Sequence, residues 1–229
     1  QAIELAQKMV AIGTHNGRKV AALITDMDTP LGHNIGNSLE VMESMEVLKG
    51  RGPADLTEVC YQLAVNMLLL AGLGTEEECR AMAEKAVADG SAFEKCKQMF
   101  AAQGGDISVL EDYSRFDAAR YSREILAEET GYIYSHDTEK IGSASVLLGA
   151  GRLTKTDEID FAAGIILHKK TGDYVEKGQS IATFYADDEA LFDSAEKMFK
   201  SGLVIKDEKP VEAPLVYARV TKNGVERFY

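Results

Sequence analysis

The order of hydrophobic and polar residues predicts helices through the first half of the chain, interrupted by one strand. Apolar residues recur at helical spacing over 3–10, so the sequence opens within a helix. The continuous apolar run over 20–25 stands between turn signals, which is typical of a fully buried strand in a parallel sheet. Another helix is predicted from Asn37 or Ser38 to Lys49, where two glycines end it.

The longest helical pattern runs over 55–72, and we expect its apolar stripe to face the core. This stripe consists of Leu56, Val59, Cys60, Leu63, Met67 and Leu70. Leu63 is accordingly predicted to be a core position, where truncation to Ala costs about 2–5 kcal/mol. Two capping boxes open the next two predicted helices. They are formed by Thr75 with Glu78 and by Ser91 with Glu94.

The pattern changes near residue 112, after which strand-like segments alternate with two helices. The predicted strands are 121–125, 131–134, 159–168 and 180–185, and the predicted helices are 139–150 and 188–200. Together these elements indicate an α/β protein in two parts. Residues 1–112 are mostly helical around a sheet, and residues 113–229 form a smaller α+β domain.

The composition excludes several classes of function. The chain has 25 Lys and Arg against 37 Asp and Glu, a net charge of −12, and no Trp. Nucleic acids and anionic membranes are bound mainly through Lys and Arg, so neither is an expected partner. No stretch approaches the ~18 apolar residues of a membrane span, and no signal peptide is visible. A cytoplasmic location is therefore expected.

Cysteine and histidine follow no disulfide or metal-binding pattern. Cys60, Cys79 and Cys96 form a sparse, odd set, which favours a reducing compartment. Each lies within a predicted helix, where a buried and inert thiol is expected. The four histidines are scattered without the ligand spacing of a zinc site, so no structural zinc is predicted.

Two features after the first strand carry candidate chemistry. Asp26 and Asp28 follow the strand at the edge where open α/β sheets bind ligands, so the pair could hold a cation or a sugar hydroxyl. An Asx turn is the competing interpretation. The glycine-spaced loop 31–37 opens a helix, and its amides suit phosphate. It lacks the Lys-Ser/Thr of a P-loop, so a plain tight turn is favoured.

Three further motifs each have a functional and a structural interpretation. Glu40, Glu43 and Glu46 recur every three residues on the next helix, where a solvated face is the favoured interpretation. The His-Lys-Lys run at 168–170 offers a catalytic pair, but a charged strand end is commoner. Residues 172–179 resemble the turn of lipoyl and biotinyl carrier domains. They lack the triplet around a modified lysine, so a β-turn without a swinging arm is predicted.

Five segments together resemble the pyrimidine-nucleoside phosphorylases, including thymidine phosphorylase. They are 21–27 (AALITDM), 36–43, 101–106 (AAQGGD), 148–152 (LGAGR) and 160–173 (DFAAGIILHKKTGD). Their order and spacing match the family over nearly the whole chain. The resemblance implies that 1–112 is the C-terminal segment of a central α/β domain, with helices around a mostly parallel sheet. It implies that 113–229 is a smaller, barrel-sandwich-like α+β domain.

The resemblance also implies an activity and an incomplete site. In this family, phosphate attacks the anomeric carbon of a pyrimidine nucleoside, giving free base and pentose 1-phosphate. The family's dimerisation domain and its phosphate- and base-binding residues precede residue 1, so no catalytic residue is predicted here and this chain alone is expected to be inactive. The complete enzyme is expected to be a homodimer without an organic cofactor. The alternative is a stand-alone, non-catalytic binding module that retained the fold.

One family site is implied within this chain. Members similar to it bind K⁺ or Ca²⁺ near the phosphate loop. The resemblance assigns the ligands in this half to the backbone carbonyls of Leu31 and Asn34 and to the carboxylate of Glu43. Oxygen ligands in irregular geometry suit such hard cations. The remaining ligands are expected in the other half of the enzyme.

Overall fold

Seven α-helices and ten β-strands make up the chain in a computed structural model that describes residues 1–229. The helices are α1 (Ala2–His15), α2 (Asn37–Leu48), α3 (Ala54–Ala71), α4 (Glu76–Ala88), α5 (Ser91–Ala102), α6 (Thr138–Ser145) and α7 (Phe192–Ser201). The strands are β1 (Ala21–Thr25), β2 (Asn34–Ile35), β3 (Tyr121–Leu126), β4 (Gly131–His136), β5 (Gly164–Leu167), β6 (Tyr174–Val175), β7 (Ser180–Ala186), β8 (Leu203–Lys206), β9 (Val216–Thr221) and β10 (Gly224–Arg227). This mixture confirms the α/β class. None of the helices combines the length and hydropathy needed to cross a membrane.

The chain forms two compact units from interleaved segments. One unit contains Gln1–Asp26, Ala54–Ala92 and Ala213–Tyr229, and the other contains Met27–Pro53 and Phe93–Glu212. The units therefore follow a different division of the chain from the domain boundary predicted after residue 112. That boundary, and the barrel-sandwich likeness of the smaller domain, remain predictions.

The first unit is built on a three-stranded antiparallel sheet in the order β1-β9-β10. Ala22 of β1 lies opposite Val220 of β9, and α1 packs Ala6 and Val10 against Val220. The strand itself is predicted correctly, but its assignment as a fully buried strand of a parallel sheet is wrong. Its residues are half-buried, and the strand that pairs with it here is antiparallel. The apolar run indicates a tendency to be buried, but the direction of pairing depends on the partner strand, which here comes from the far end of the chain.

Helix α3 buries only part of its predicted apolar stripe, and its buried side is shifted around the helix. Val59, Val65 and Asn66 are buried, whereas Leu63 is 47% exposed and Met67 is 64% exposed. The prediction that Leu63 is a core position is therefore wrong. Apolar residues surround most of α3, so helical periodicity does not single out the buried side.

One of the two predicted capping boxes forms. Thr75 Oγ1 accepts a hydrogen bond from the Glu78 amide, and the Glu78 carboxylate accepts one from the Thr75 amide. The second box is wrong, because the Ser91 hydroxyl donates to the Ala86 carbonyl and the Ser91 amide donates to Asp89.

The second unit contains two antiparallel sheets, in the orders β2-β5-β7-β3 and β6-β4-β8. Helix α7 buries Phe192, Ala195 and Phe199 along one face, as expected for an amphipathic helix. Phe199 meets Phe184 of β7 edge to face, with ring centroids 5.4 Å apart. The core gathers apolar residues from β3, β4, β5, β7, α6 and α7. The helix predicted over 139–150 is α6 followed by a wider turn in which Gly149 has a φ of 106°.

Candidate cation-binding site

Helix α2 places one of its three glutamates inside the protein. Glu43 is 8% exposed, whereas Glu40 is exposed and Glu46 is half-buried. The solvated-face interpretation is therefore wrong for Glu43 and right for Glu40. A buried carboxylate is costly unless hydrogen bonds or a cation replace its hydration. The surroundings of Glu43 show how this cost is met.

The loop before β2 wraps its backbone around the Glu43 carboxylate. The His33 amide donates to Oε1 over 2.9 Å, and the Asn34 amide approaches Oε2 at 3.3 Å. Gly32 has a φ of 70°, and a Cβ added there would lie 2.2 Å from Glu43 Oε2. The absence of a side chain at Gly32 therefore leaves the space that the carboxylate occupies.

The backbone of His33 connects the Glu43 carboxylate with strand β5. The His33 carbonyl accepts a hydrogen bond from the Leu167 amide, so His33 faces β5. Successive residues of an extended strand direct their N–H and C=O groups to opposite sides. His33 departs from this alternation, because its amide donates to Glu43 while its carbonyl faces β5. Leu31 directly precedes Gly32 in this loop.

The Asn34 side chain leaves this carboxylate open to other ligands. Its Nδ2 donates to the Leu39 carbonyl over 2.9 Å in the first part of α2. An open cleft of about 410 Å³ adjoins the site and is bordered by His33, Met42, Glu43, Glu46 and Arg51. Carboxylate and carbonyl oxygens beside a cleft fit a hard cation such as K⁺ or Ca²⁺. No three His, Cys, Asp or Glu side chains cluster to hold a metal, so such a cation would depend on backbone carbonyls.

A second cluster, which the sequence did not indicate, includes two of the residues that border the cleft, Glu46 and Arg51. Arg51 makes two hydrogen bonds to the Glu46 carboxylate, of 2.7 and 2.9 Å, and the Tyr113 hydroxyl donates to it over 2.6 Å. The hydrogen bonds from Arg51 lower the pKa of Glu46, against the opposing effect of burial. Burial and the bond to Glu46 raise the pKa of Tyr113. Glu46 is therefore charged and compensated. Tyr113 lies 67 positions after Glu46 in the sequence, so a pattern of nearby residues could not indicate this contact.

The remaining sequence candidates are the Asp26 and Asp28 pair and the run 168–170. Asp26 donates its amide to the Leu215 carbonyl, and the choice between a ligand and an Asx turn for Asp26 and Asp28 remains open. The His168 ring lies 2.9 Å from the Ser180 hydroxyl and 3.1 Å from the Thr183 hydroxyl on the exposed surface. This placement agrees with a charged strand end.

The carrier-like segment 172–179 contains strand β6 and the turn that leads from it to β7, so the predicted β-turn lies in its second half. Gln179 donates its amide to the Glu176 carbonyl, and its side chain accepts from the Glu176 amide. Among the cysteines, Cys79 is buried as expected, whereas Cys60 is exposed on α3. The expectation of a buried thiol is therefore wrong for Cys60.

Part of this fold matches a known family. Residues 132–206 match the pyrimidine nucleoside phosphorylase C-terminal domain, and this segment contains most of β4 and all of β5 to β8, α6 and α7. The class defined by the fold is therefore a mixed α/β protein, one segment of which is similar to this domain.

The particular relatives extend the similarity to nearly the whole chain. The chain is 44% identical to a pyrimidine-nucleoside phosphorylase of Geobacillus stearothermophilus over 219 residues, which is 95% of this chain and 50% of the relative. It is 42% identical to that of Bacillus subtilis over 222 residues, which is 96% of this chain and 51% of the relative. The chain thus spans about half the length of these relatives, and the resemblance stated from the sequence segments is confirmed.

Proposed function

We propose that this chain acts as the C-terminal part of a pyrimidine-nucleoside phosphorylase. The observation that carries the proposal is 44% identity along 95% of the chain to an enzyme of that name. In the proposed reaction, a phosphate oxygen attacks the anomeric carbon of a uridine- or thymidine-type nucleoside. The glycosidic C–N bond breaks, its electrons leave with the base, and pentose 1-phosphate forms. Uridine-type nucleosides and phosphate are the proposed substrates, and the proposed complete enzyme is a cytoplasmic homodimer.

The surface of the first unit supports the proposal that this chain is one part of a larger enzyme. Strand β1 lies at the end of its sheet, with β9 along one edge and no strand of this chain along the other. Helices α1 and α3 both contact β1. Helix α1 exposes Leu5, Met9 and Ile12 by 60–65%, and α3 exposes Leu63 and Met67. An open sheet edge, together with exposed apolar side chains on two helices that contact the edge strand, suits a further strand and helices.

The direct test is phosphorolysis of uridine and thymidine by the purified 229-residue chain. We expect no turnover by the chain alone, because the residues that bind phosphate and base are proposed to lie in the other half. We expect turnover when the N-terminal half of the Geobacillus relative is added. Turnover by the chain alone contradicts the proposed inactivity. A stable complex of both halves without turnover favours a non-catalytic binding module.

We propose further that Glu43 and the carbonyls of Leu31 and Asn34 bind K⁺ or Ca²⁺ in the complete enzyme. When bound, the cation supplies a positive charge beside a buried carboxylate and holds the preceding loop rigid. The two amides from His33 and Asn34 orient the carboxylate, and Gly32 leaves its oxygen accessible.

Thermal unfolding of the reconstituted pair at increasing CaCl₂ or KCl tests this site. A cation that binds the folded state raises the unfolding midpoint. We expect this rise in the unmodified pair and in the Glu40→Gln control, whose side chain is exposed on the same helix. We expect none in Glu43→Gln. Equal rises in both variants would show that the cation binds elsewhere.

A further inference from the structure

The loop that surrounds Glu43 is attached to strand β5, which lies within the family-matched segment 132–206. The Leu167 amide donates to the His33 carbonyl over 2.8 Å, and His33 Nδ1 lies 3.0 Å from the Leu167 carbonyl. Because a carbonyl only accepts hydrogen bonds, His33 carries a proton on Nδ1. Asn34 lies opposite Ile166 in the β2–β5 pair. The residues that donate to Glu43 are therefore the ones held by β5.

Two glycines allow the backbones of the loop and β5 to touch. A Cβ on Gly164 would lie 2.3 Å from the Ile35 carbonyl oxygen and 2.8 Å from Leu39 Cδ1. A Cβ on Gly36, where φ is 136°, would lie 2.5 Å from the Ala163 carbonyl oxygen. No side chain fits between these two segments. At these two glycines, the segments are therefore in direct backbone contact.

The beginning of α2 is attached to the segment that precedes β5. The Ser38 amide and hydroxyl both donate to the Phe161 carbonyl, over 3.2 and 2.6 Å. Asn37 Nδ2 donates to the Ala150 carbonyl over 2.8 Å. The helix that carries Glu43 and the loop that donates to Glu43 are thus fixed on the same part of the family-matched domain.

We infer that Gly164, Gly36 and Ser38 are positioning residues for the Glu43 site. Through these three residues, the family-matched segment 132–206 sets the geometry of the loop before β2, which lies outside that segment. A Cβ on Gly164 would push the Ile35 backbone away by about 1 Å, beyond the ~0.5 Å within which a binding site must be held. Only the link to cation binding rests on the proposed function.

Amide hydrogen exchange of the full 229-residue chain tests the inference. In Gly164→Ala, we expect the peptide containing the His33 and Asn34 amides to exchange about tenfold faster, because their hydrogen bonds to Glu43 open more often. A peptide from α7 should keep its rate. Gly142→Ala is the matched control, since a Cβ on Gly142 meets nothing within 4 Å. It should change neither rate.

Two results would overturn the inference. One is unchanged exchange at His33 and Asn34 in a folded Gly164→Ala chain. The other is an equal acceleration in α7, which would make Gly164 a general stability residue. If Gly164→Ala does not fold, Ser38→Ala carries the test, because it removes one hydroxyl hydrogen bond and leaves the backbone contact intact. An unchanged rate at both amides in that variant also contradicts the inference.

The readout is independent of the proposed function. Exchange at His33 and Asn34 requires neither a bound cation nor turnover. If the cation or phosphorylase proposal fails, the exchange result still decides whether these residues position the loop. If the positioning inference fails, CaCl₂ or KCl titration of the reconstituted pair still decides whether Glu43 binds a cation.

Discussion

Gly32 and Glu43 form the smallest unit on which the candidate site depends. The carboxylate is buried, and hydrogen bonds from amides to a charged group contribute about 1.5–3 kcal/mol each. These bonds require the loop backbone to approach the carboxylate closely, and Gly32 permits this approach at a φ of 70°. The sequence resemblance implied the ligand role of Glu43, but the contribution of Gly32 becomes visible only from the contact itself.

Replacing Gly32 with Ala should destabilise the chain beyond the cost of its backbone conformation. A left-handed conformation costs a non-glycine residue about 1–2 kcal/mol, and the collision with Glu43 adds to this. Gly178→Ala is the matched control, because Gly178 has a φ of 86° with nothing within 4 Å of an added Cβ. Urea unfolding should show a larger loss for Gly32→Ala. Equal losses of stability in the two variants would contradict a specific contact between Gly32 and the Glu43 carboxylate.

His136 should make stability depend on pH in a defined range. Burial, and then the charge of Lys170, lower the pKa of His136 to about 4, with Asp173 acting in the opposite direction. Its unfolded pKa is about 6.5. The unfolded state therefore binds more protons between these values, and stability is full above pH 6.5 and falls as pH decreases towards 4.

The expected loss is about 2 kcal/mol on going from pH 7 to pH 5. The His136→Gln variant serves as the control, since it lacks the titrating ring while all carboxylates remain. Urea unfolding of both proteins across this range should show a shallower dependence on pH for the variant. Parallel curves would mean that His136 does not titrate as its burial and charges require.

At the scale of elements, α3 and β1 share one difficulty. Both segments are apolar on more than one side, so their patterns predicted their type correctly but not the surfaces they bury. For α3, the structure buries Val59 and Val65 and exposes Cys60 and Leu63. For β1, the antiparallel partner β9 comes from the far end of the chain.

Truncation of Leu63 and Val65 should separate the two faces of α3. Leu63 is 47% exposed, so Leu63→Ala should cost less than about 1 kcal/mol in this chain. Val65 is 3% exposed, so Val65→Ala should cost about 2 kcal/mol despite the smaller side chain lost. Urea unfolding measures both. A larger loss of unfolding free energy for Leu63→Ala than for Val65→Ala would show that the face predicted from the sequence is the buried one.

At the scale of the whole molecule, the two compact units are assembled from segments that alternate along the chain. No composition change marks these boundaries, and one of them, between Ala92 and Phe93, falls within helix α5. The first unit exposes an apolar stripe on α1 beside the open edge of β1. The proposal of a second half rests on the similarity to relatives of twice this length, and this surface is where we propose that the second half packs.

A charge in that stripe should impair assembly with the second half. Met9→Glu places a carboxylate on the proposed contact, where burial without a partner is costly. Complementation with the N-terminal half of the Geobacillus relative should weaken by about tenfold or more, equivalent to 1.4 kcal/mol per tenfold. Gln7→Glu, also exposed on α1, is the matched control and should complement normally. Normal complementation by Met9→Glu would exclude this stripe as the contact.

The sequence by itself determined the α/β class, most of the elements and the resemblance to pyrimidine-nucleoside phosphorylases. These properties rest on local spacing and on ordered segments such as 148–152 and 160–173, which are readable along the chain. Only the tertiary structure decided which faces are buried, that β1 pairs antiparallel with β9, and that Glu43 is enclosed by Gly32. The physical reason is that burial and pairing depend on partners far apart in sequence. Their positions are fixed by packing, which local periodicity does not record.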